Sequence, residues 1–330
     1  MLARSSILNH PLGIKIKTPL LVPSFSSKGF RFDNQRKSEV PKIFDVTKEF
    51  LTQSLLVSAY DGHYGYVFCN NIPTEIVFID SGGYETSDEH DLSEVMRYLG
   101  NIEEWNEELH RSFLDNWPSH IPSIFTSFDH GRIRKRLSEQ IGSARELFSN
   151  YPYQLNNLLV KPEDTEYLNV NYVIENICEL SSFNIIGFTE KELGHSIIDR
   201  MHNIALIRIA LDENNNKAPL HIYGSLDPIS TCLYFLAGAE IFDGLTWLKY
   251  SYHKGSAIYK QNAATLTNGL TWEEVELDSN VWKGNIYYLE NLQIEMSNFL
   301  LESDFNIFSQ NSDILKQTYI TLCDKLGRKY

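Results

Sequence analysis

Three aspartates stand where apolar runs give out beside glycine: "FIDSGGY" (Phe78–Tyr84), "SFDHG" (Ser127–Gly131) and "IFDG" (Ile241–Gly244). Carboxylates at emerging strand ends have a short repertoire. One of a pair can attack an anomeric carbon and form a covalent glycosyl-enzyme, while the other protonates the leaving group and later deprotonates the incoming one. A third can accept hydrogen bonds from a purine-like edge, because a guanine edge offers two donors side by side. Neighbouring glycines let backbone amides approach a flat ligand closely. The competing reading is that each aspartate caps the helix that follows it. Three acids, each on an apolar strand and each near glycine, favour a site.

The elements that must position them follow a regular rhythm. Eight short runs have strand character: Leu20–Ser26, Ser54–Tyr60, Glu75–Asp80, Ser123–Asp129, Asn157–Pro162, Phe183–Phe188, Pro219–Ser225 and Ala239–Leu245. Several are near-continuous in Val, Ile, Leu and Phe, as in strands covered on both faces. Helical spacing fills most gaps, over Asp91–Trp117, Arg132–Asn150, Asn171–Ser182, His195–Glu213 and Asp227–Ala239, the last with Asp227 placed to cap and Pro228 at the first helical position. The gap "DGHYGYVFCNNIPT" (Asp61–Thr74) reads as a hairpin or extended excursion. Strand alternating with helix about eight times predicts an α/β fold, a (β/α)₈ TIM barrel. A doubly wound sheet is the alternative, but no early G-x-G-x-x-G supports it. The expected organisation is a barrel over 1–265 and a helical extension over 266–330 packed on it. In a barrel the chemistry collects at the C-terminal strand ends, which here also carry Ser24, Asp61, Lys161, Gly187 and Gly224.

The 330 residues are 42% hydrophobic and 22% charged, ordinary for a globular protein. No window holds eighteen consecutive apolar residues, and the N-terminus lacks the features of a signal peptide, so a cytoplasmic protein with no membrane partner is expected. Four scattered cysteines (Cys69, Cys178, Cys232 and Cys323) read as buried thiols in a reducing compartment rather than a zinc site or disulfide scaffold. His63, His130 and His253 fall near the rim without ligand spacing, so neither a metal nor another cofactor is expected. The net charge of −14 argues against nucleic-acid binding by bulk electrostatics.

The motifs resemble those of the tRNA-guanine transglycosylases and their DNA-modifying relatives. "NHPLGIKIKTPLLVPSFSSKG" (Asn9–Gly29) is similar to that family's opening hairpin and first strand, and "DSGGY" (Asp80–Tyr84) to its general acid/base motif. "SFDH" (Ser127–His130) is similar to the base-recognising motif, "HIYGSLDP" (His221–Pro228) to a glycine–proline turn, and "AGAEIFDGLTW" (Ala237–Trp247) to the nucleophile segment. The resemblance implies a base exchange in which Asp243 attacks C1′ of the sugar and Asp80 shuttles the proton. Asp129 would bind the base edge with Gly187 backbone, Tyr84 would stack on the base, and Ser81 would flank it. Gly82, Gly83, Lys161 and Gly224 complete the expected substrate site. There are departures. "WLKYSYHKGSA" (Trp247–Ala257) has no cysteine where the tRNA enzymes carry a zinc knuckle, so no zinc subdomain is expected. Lys161 stands where the family places a base-reading Gln, Ile186 where it has the first Gly of a pair, and Glu85 where it has Gln.

The expected substrates are therefore a nucleic acid (DNA slightly before tRNA, given the missing knuckle) and a 7-deazaguanine base. Cations for the phosphates would come from Lys28, from Arg132, Arg134, Lys135 and Arg136 of "RIRKR", and from Lys249 and Lys254. That basic run can equally be the solvated first turn of a helix. The acidic balance leaves room for a protein partner that supplies more of the footprint. The alternatives are an N-glycosidic hydrolase, in which water replaces the incoming base, and a non-catalytic transglycosylase-like subunit.

Overall fold

The computed structural model describes residues 1–33, 37–67, 72–87, 102–129, 133–163 and 166–329. Arg36, Cys69, His130, Arg132 and most of the first half of the Asp91–Trp117 segment lie outside them. The chain opens with an antiparallel hairpin, β1 (Ile7–Asn9) and β2 (Lys15–Lys17). Eight strands follow: β3 (Leu20–Phe25), β4 (Ser54–Ser58), β5 (Ile76–Asp80), β6 (Ser123–Thr126), β7 (Leu155–Val160), β8 (Ile185–Thr189), β9 (Leu220–Tyr223) and β10 (Ile241–Gly244). All pair in parallel with their sequence neighbours, and β10 pairs back onto β3, so the sheet closes on itself. The fold is a (β/α)₈ barrel.

Between the strands run α1 (Val40–Thr47), α2 (Ala59–His63), α3 (Gly83–Thr86), α4 (Glu107–Asp115), α5 (Leu137–Phe148), α6 (Val170–Glu175), α7 (Ile197–Glu213) and α8 (Pro228–Leu236). Asp227 caps α8 as its sequence predicts, accepting from Ile229 N at 3.0 Å and Ser230 N at 3.1 Å.

Side chains alternate across each strand, so one parity faces the helices and the other the barrel axis. Leu20, Val22, Leu56, Ile76, Phe78, Ile124, Leu159, Ile185 and Ile241 form the interior cluster, while Leu21, Val57, Val77, Ile79, Leu158, Ile186 and Phe242 pack outward. Leu8 and Ile16 of the hairpin join the interior cluster, so β1–β2 plugs the N-terminal end of the barrel. The same parity carries Ser24, Asp80 and Asp243 to the interior face at the opposite, C-terminal end.

Beyond β10 come α9 (Thr246–Lys249), the hairpin β11 (Ser251–His253) and β12 (Ser256–Ile258), α10 (Lys260–Leu266), α11 (Glu274–Glu302) and α12 (Ser312–Lys325). Helix α10 runs across position 265, so no element boundary falls there. Helix α11 fastens the segment just after β10: Asn285 Nδ2 donates to Trp247 O (2.6 Å) and Tyr250 O (2.7 Å), and its Oδ1 accepts from Tyr252 N (2.7 Å).

The structure corrects three expectations and adds one element. The start of the 61–74 gap is helical, not extended, because Asp61 turns inward to accept from Ser27 N and Ser27 Oγ and so anchors the one-turn α2. The described part of "RIRKR" precedes α5 rather than forming its first turn, and Glu139 Oε2 accepts from Arg136 N at 3.0 Å to start the helix. Cys178 is exposed, with only Cys232 and Cys323 buried among the described cysteines. Helix α1, which the apolar spacing did not single out, covers β3 and β4 with Ile43 and Phe44. Among the described residues no group of three His, Cys, Asp or Glu is arranged to hold a metal ion, and no helix is long and apolar enough to cross a membrane.

Candidate active site at the barrel mouth

Asp80, Asp129 and Asp243 line one cleft at the C-terminal ends of the strands. Ser24, Ser81, Tyr84, Lys161 and Gly224 share its walls. Asp80 and Asp243 come from the last turns of β5 and β10, on opposite sides of β3 and β4. Asp129 lies three residues past β6.

The three acids sit in different surroundings. Asp243 is 5% exposed and both its oxygens accept: Oδ2 from Ser24 Oγ at 2.7 Å and Oδ1 from His221 Nε2 at 3.0 Å. Both carboxylate oxygens thus have a partner, a hydroxyl on one side and an imidazole nitrogen on the other. Asp80 is pushed from the usual 3.8 to about 8, by burial first and then by the charges of Glu85, Asp243 and Asp129, with the Ser81 backbone amide working the other way. At neutral pH it carries a proton. Asp129 faces Lys161, whose Nζ lies 3.3 Å from Asp129 Oδ2 and 2.8 Å from Glu192 Oε1. The cleft thus offers an acceptor and a cationic donor side by side.

Two further acids lie close to Asp80. Glu85 is 6% exposed and accepts from Ser26 Oγ and from Ser58 Oγ (2.8 Å). Asp61 is fully buried. Burial raises both above the carboxylate range, and the charge of Glu85 adds to the rise at Asp61.

The glycines divide. Gly83 and Gly224 are part of the wall. A Cβ on Gly83 would lie 2.6 Å from Asp129 Oδ2, so glycine here admits the aspartate itself. Gly82 and Gly187 stand behind the wall. Gly82, at φ 85°, leaves space for Trp105 and Tyr60, and Gly187 for the Tyr223 ring, 2.5 Å from where its Cβ would be.

Ser81 is buried. Its Oγ accepts from Gly83 N at 3.3 Å, and its carbonyl accepts from Trp105 Nε1 at 2.9 Å. Tyr84 is half-buried and held by Lys28, whose ammonium lies 4.3 Å from the ring centroid and donates to Tyr84 O (2.7 Å) and Ser87 O (2.9 Å).

The other expected phosphate contacts scatter. Arg134 reaches Glu192 Oε1 at 3.3 Å. Lys135 and Arg136 sit before α5, half-buried and exposed, and Lys254 is at the exposed tip of the β11–β12 turn. Lys249 ends α9, half-buried. Arg132 lies outside the described residues. The motifs gave no role to Glu192 or Asn157, nor to His221 at the head of the glycine–proline motif. All three are polar residues next to or inside strands that otherwise read as apolar runs.

Fold and site together define a (β/α)₈ barrel with an acid-lined pocket at the C-terminal ends of its strands. No protein-family model matches the chain, and no curated protein matches it.

Proposed function

We propose that the protein is a base-exchange transglycosylase that replaces guanine in nucleic acid, DNA before tRNA, with a 7-deazaguanine. The observation that carries this reading is the split between Asp80 and Asp243 inside one cleft: one carboxyl is held protonated near neutrality, and the other accepts hydrogen bonds at both oxygens. Two carboxylates with opposed protonation are what a double displacement at a glycosidic carbon needs.

In the first half an Asp243 oxygen attacks C1′, the C1′–N9 bond breaks, and the departing guanine keeps the electron pair and takes the Asp80 proton at N9. In the second half the ionised Asp80 removes the N9 proton of the incoming base. N9 then attacks C1′, and the Asp243 carboxylate leaves. Asp129 accepting beside Lys161 donating suits a base edge that carries N–H next to C=O. The half-buried Tyr84 ring, braced by Lys28, offers a face on which the base can stack.

The test is exchange of labelled guanine and of 7-cyano-7-deazaguanine into separate DNA and RNA pools, with denaturing-gel trapping of a covalent adduct. Asp243→Asn abolishes both exchange and adduct, a loss of about 10³-fold or more. Release of free base with an abasic product and no exchange would transfer the site to hydrolysis. An adduct that persists in Asp243→Asn would overturn the assignment.

A further inference from the structure

Below Asp243 the barrel interior carries a connected line of polar side chains that the exchange chemistry does not itself use. His221 of β9 is fully buried and its Nε2 meets Asp243 Oδ1 at 3.0 Å. Its Nδ1 lies 2.8 Å from Asn157 Nδ2, on β7. The same Asn157 amide donates to Tyr223 Oη at 2.9 Å, and Tyr223 Oη lies 2.8 Å from Thr126 Oγ1 on β6. The His221 ring stacks on Tyr223, centroids 3.9 Å apart, and meets Phe78 edge-on. Four strands are joined through side chains in a layer that bulky aliphatics usually fill.

The directions of these bonds are mutually consistent. An amide nitrogen can only donate, so His221 Nδ1 accepts and the ring proton sits on Nε2, aimed at Asp243. Tyr223 Oη receives a bond from Asn157 and shares a hydroxyl–hydroxyl bond with Thr126 Oγ1, in which either group can donate. Burial keeps the Tyr223 hydroxyl protonated. Asn157 Oδ1 is left buried without a hydrogen-bond partner. A core chosen for stability alone would avoid that cost, of about 1–3 kcal/mol.

We infer that His221 is a positioning residue for Asp243: Asn157 holds its imidazole as the Nε2–H tautomer, and that N–H together with the Ser24 hydroxyl fixes the plane of the carboxylate so that its remaining lone pairs face the cleft. This rests on the reading of Asp243 as the attacking group. Attack on a sugar carbon depends steeply on the angle of approach, and a carboxylate held by one hydroxyl alone can swing about its Cβ–Cγ bond.

The experiment uses the full chain in two arms. In the first, histidine-selective ¹⁵N labelling and two-bond ¹H–¹⁵N spectra report the tautomer of His221, assigned by its loss in His221→Gln. The expected result is an Nε2–H imidazole in the wild type that becomes a tautomer mixture in Asn157→Leu. An imidazolium or an Nδ1–H form in the wild type, or no change in Asn157→Leu, overturns the inference.

The second arm is steady-state exchange of labelled guanine. His221→Leu lowers kcat about 10²-fold with the KM for guanine within about threefold, and His221→Gln, which keeps an N–H donor, recovers about tenfold. A His221→Leu chain with native circular dichroism and wild-type kcat overturns the inference. If the wild type exchanges guanine into neither DNA nor RNA, the transglycosylase reading fails, and the tautomer spectra still decide what His221 does to Asp243.

Discussion

The two ends of the barrel treat buried charge in opposite ways. At the N-terminal end, Glu240 is fully buried and meets Arg4 Nε at 3.2 Å and Thr18 Oγ1 at 2.6 Å. Asp212 meets Arg4 at 2.5 Å and the fully buried Arg208 at 3.0 Å. These arginines hold Asp212 below the usual carboxylate range, although at Glu240 burial still wins and raises it.

At the C-terminal end Lys161 pairs with Asp129 and Glu192, but around Asp80 acids face acids. Asp61, Glu85 and Asp80 are all raised, with carboxylate neighbours among the causes at Asp61 and Asp80. Paired charge at the base ties the N-terminal segment to α7 and β10. Clustered acids at the mouth, shifted toward their neutral forms, are a standing cost near neutral pH, and such costs are retained where chemistry needs them.

The sharpest way to break this contrast is at Asp80. In the proposed exchange, the half-reaction that cleaves the glycosidic bond needs its proton, so kcat/KM for nucleic acid is expected to hold steady below neutrality and to fall as pH rises through about 8. Asp80→Asn lowers exchange by about 10²–10⁴-fold, the span of general acid–base catalysis.

Stability moves the other way. A folded value of about 8 against an ordinary 3.8 means that the contribution of Asp80 is fully present below pH 4 and is lost as pH rises toward 8. Asp80→Asn therefore gains on the wild type across that window, and thermal melts at pH 5 and pH 9 check it. Equal melting temperatures of the two chains at pH 9 would remove the idea of a strained acid at the mouth.

The base gives the next largest effect, with the opposite signature. Arg208 donates to Ala218 O (2.8 Å), Asn216 O (2.6 Å) and Asp212. Arg208→Met leaves those acceptors without their cation and costs about 3 kcal/mol of stability, read as a lower urea midpoint. The kcat and KM of exchange are unchanged at temperatures where the variant stays folded. A drop in kcat there would mean that the two ends are coupled through the strands.

How far this contrast could be foreseen depends on which physical signal each residue carries. All eight strands were legible because strands buried on both faces read as apolar runs. Asp80, Asp129 and Asp243 were legible as the acids that interrupt them beside glycine. The polar layer beneath is not legible, because Asn157 belongs to no motif and the motif that holds His221 and Tyr223 points to its glycine–proline turn rather than to these side chains. The available signal was parity: stepping back by two from Asp243 and Asp80 reaches the interior face, and on β9 that face reads His221 then Tyr223. Glu85 was noticed as a departure, but its burial between Ser26 and Ser58 depends on β3 and β4 meeting beside it, a contact between distant segments that no local spacing encodes. The same holds for Lys28, which faces a tyrosine 56 residues away rather than the rim.

Glu85 sharpens the mouth further. Its charge is the largest charge-based contribution to the rise at Asp80. Glu85→Gln keeps the contacts to Ser26 and Ser58 within reach of an amide and removes the charge. The high-pH fall of kcat/KM then shifts to lower pH, by about half a unit to one unit. A pH profile superimposable on the wild type would show that Glu85 carries no charge in the folded protein and that burial and the remaining acids set Asp80.

The smallest effect distinguishes two uses of a cation at the mouth. If Lys28 contacts a phosphate, Lys28→Met weakens nucleic-acid binding and lowers the slope of log K against log salt by about one. Its observed partners are instead the Tyr84 ring and the carbonyls of Tyr84 and Ser87, which tie the α3 turn to the loop after β3. In that arrangement the lysine acts on the ring that would stack on the base. Lys28→Met should then raise the KM for the incoming base about threefold, equally at low and high salt, and leave the salt slope for nucleic acid where it was. Measuring both constants at two salt concentrations separates the outcomes, since a phosphate contact moves only the salt-dependent one and a brace moves only the other.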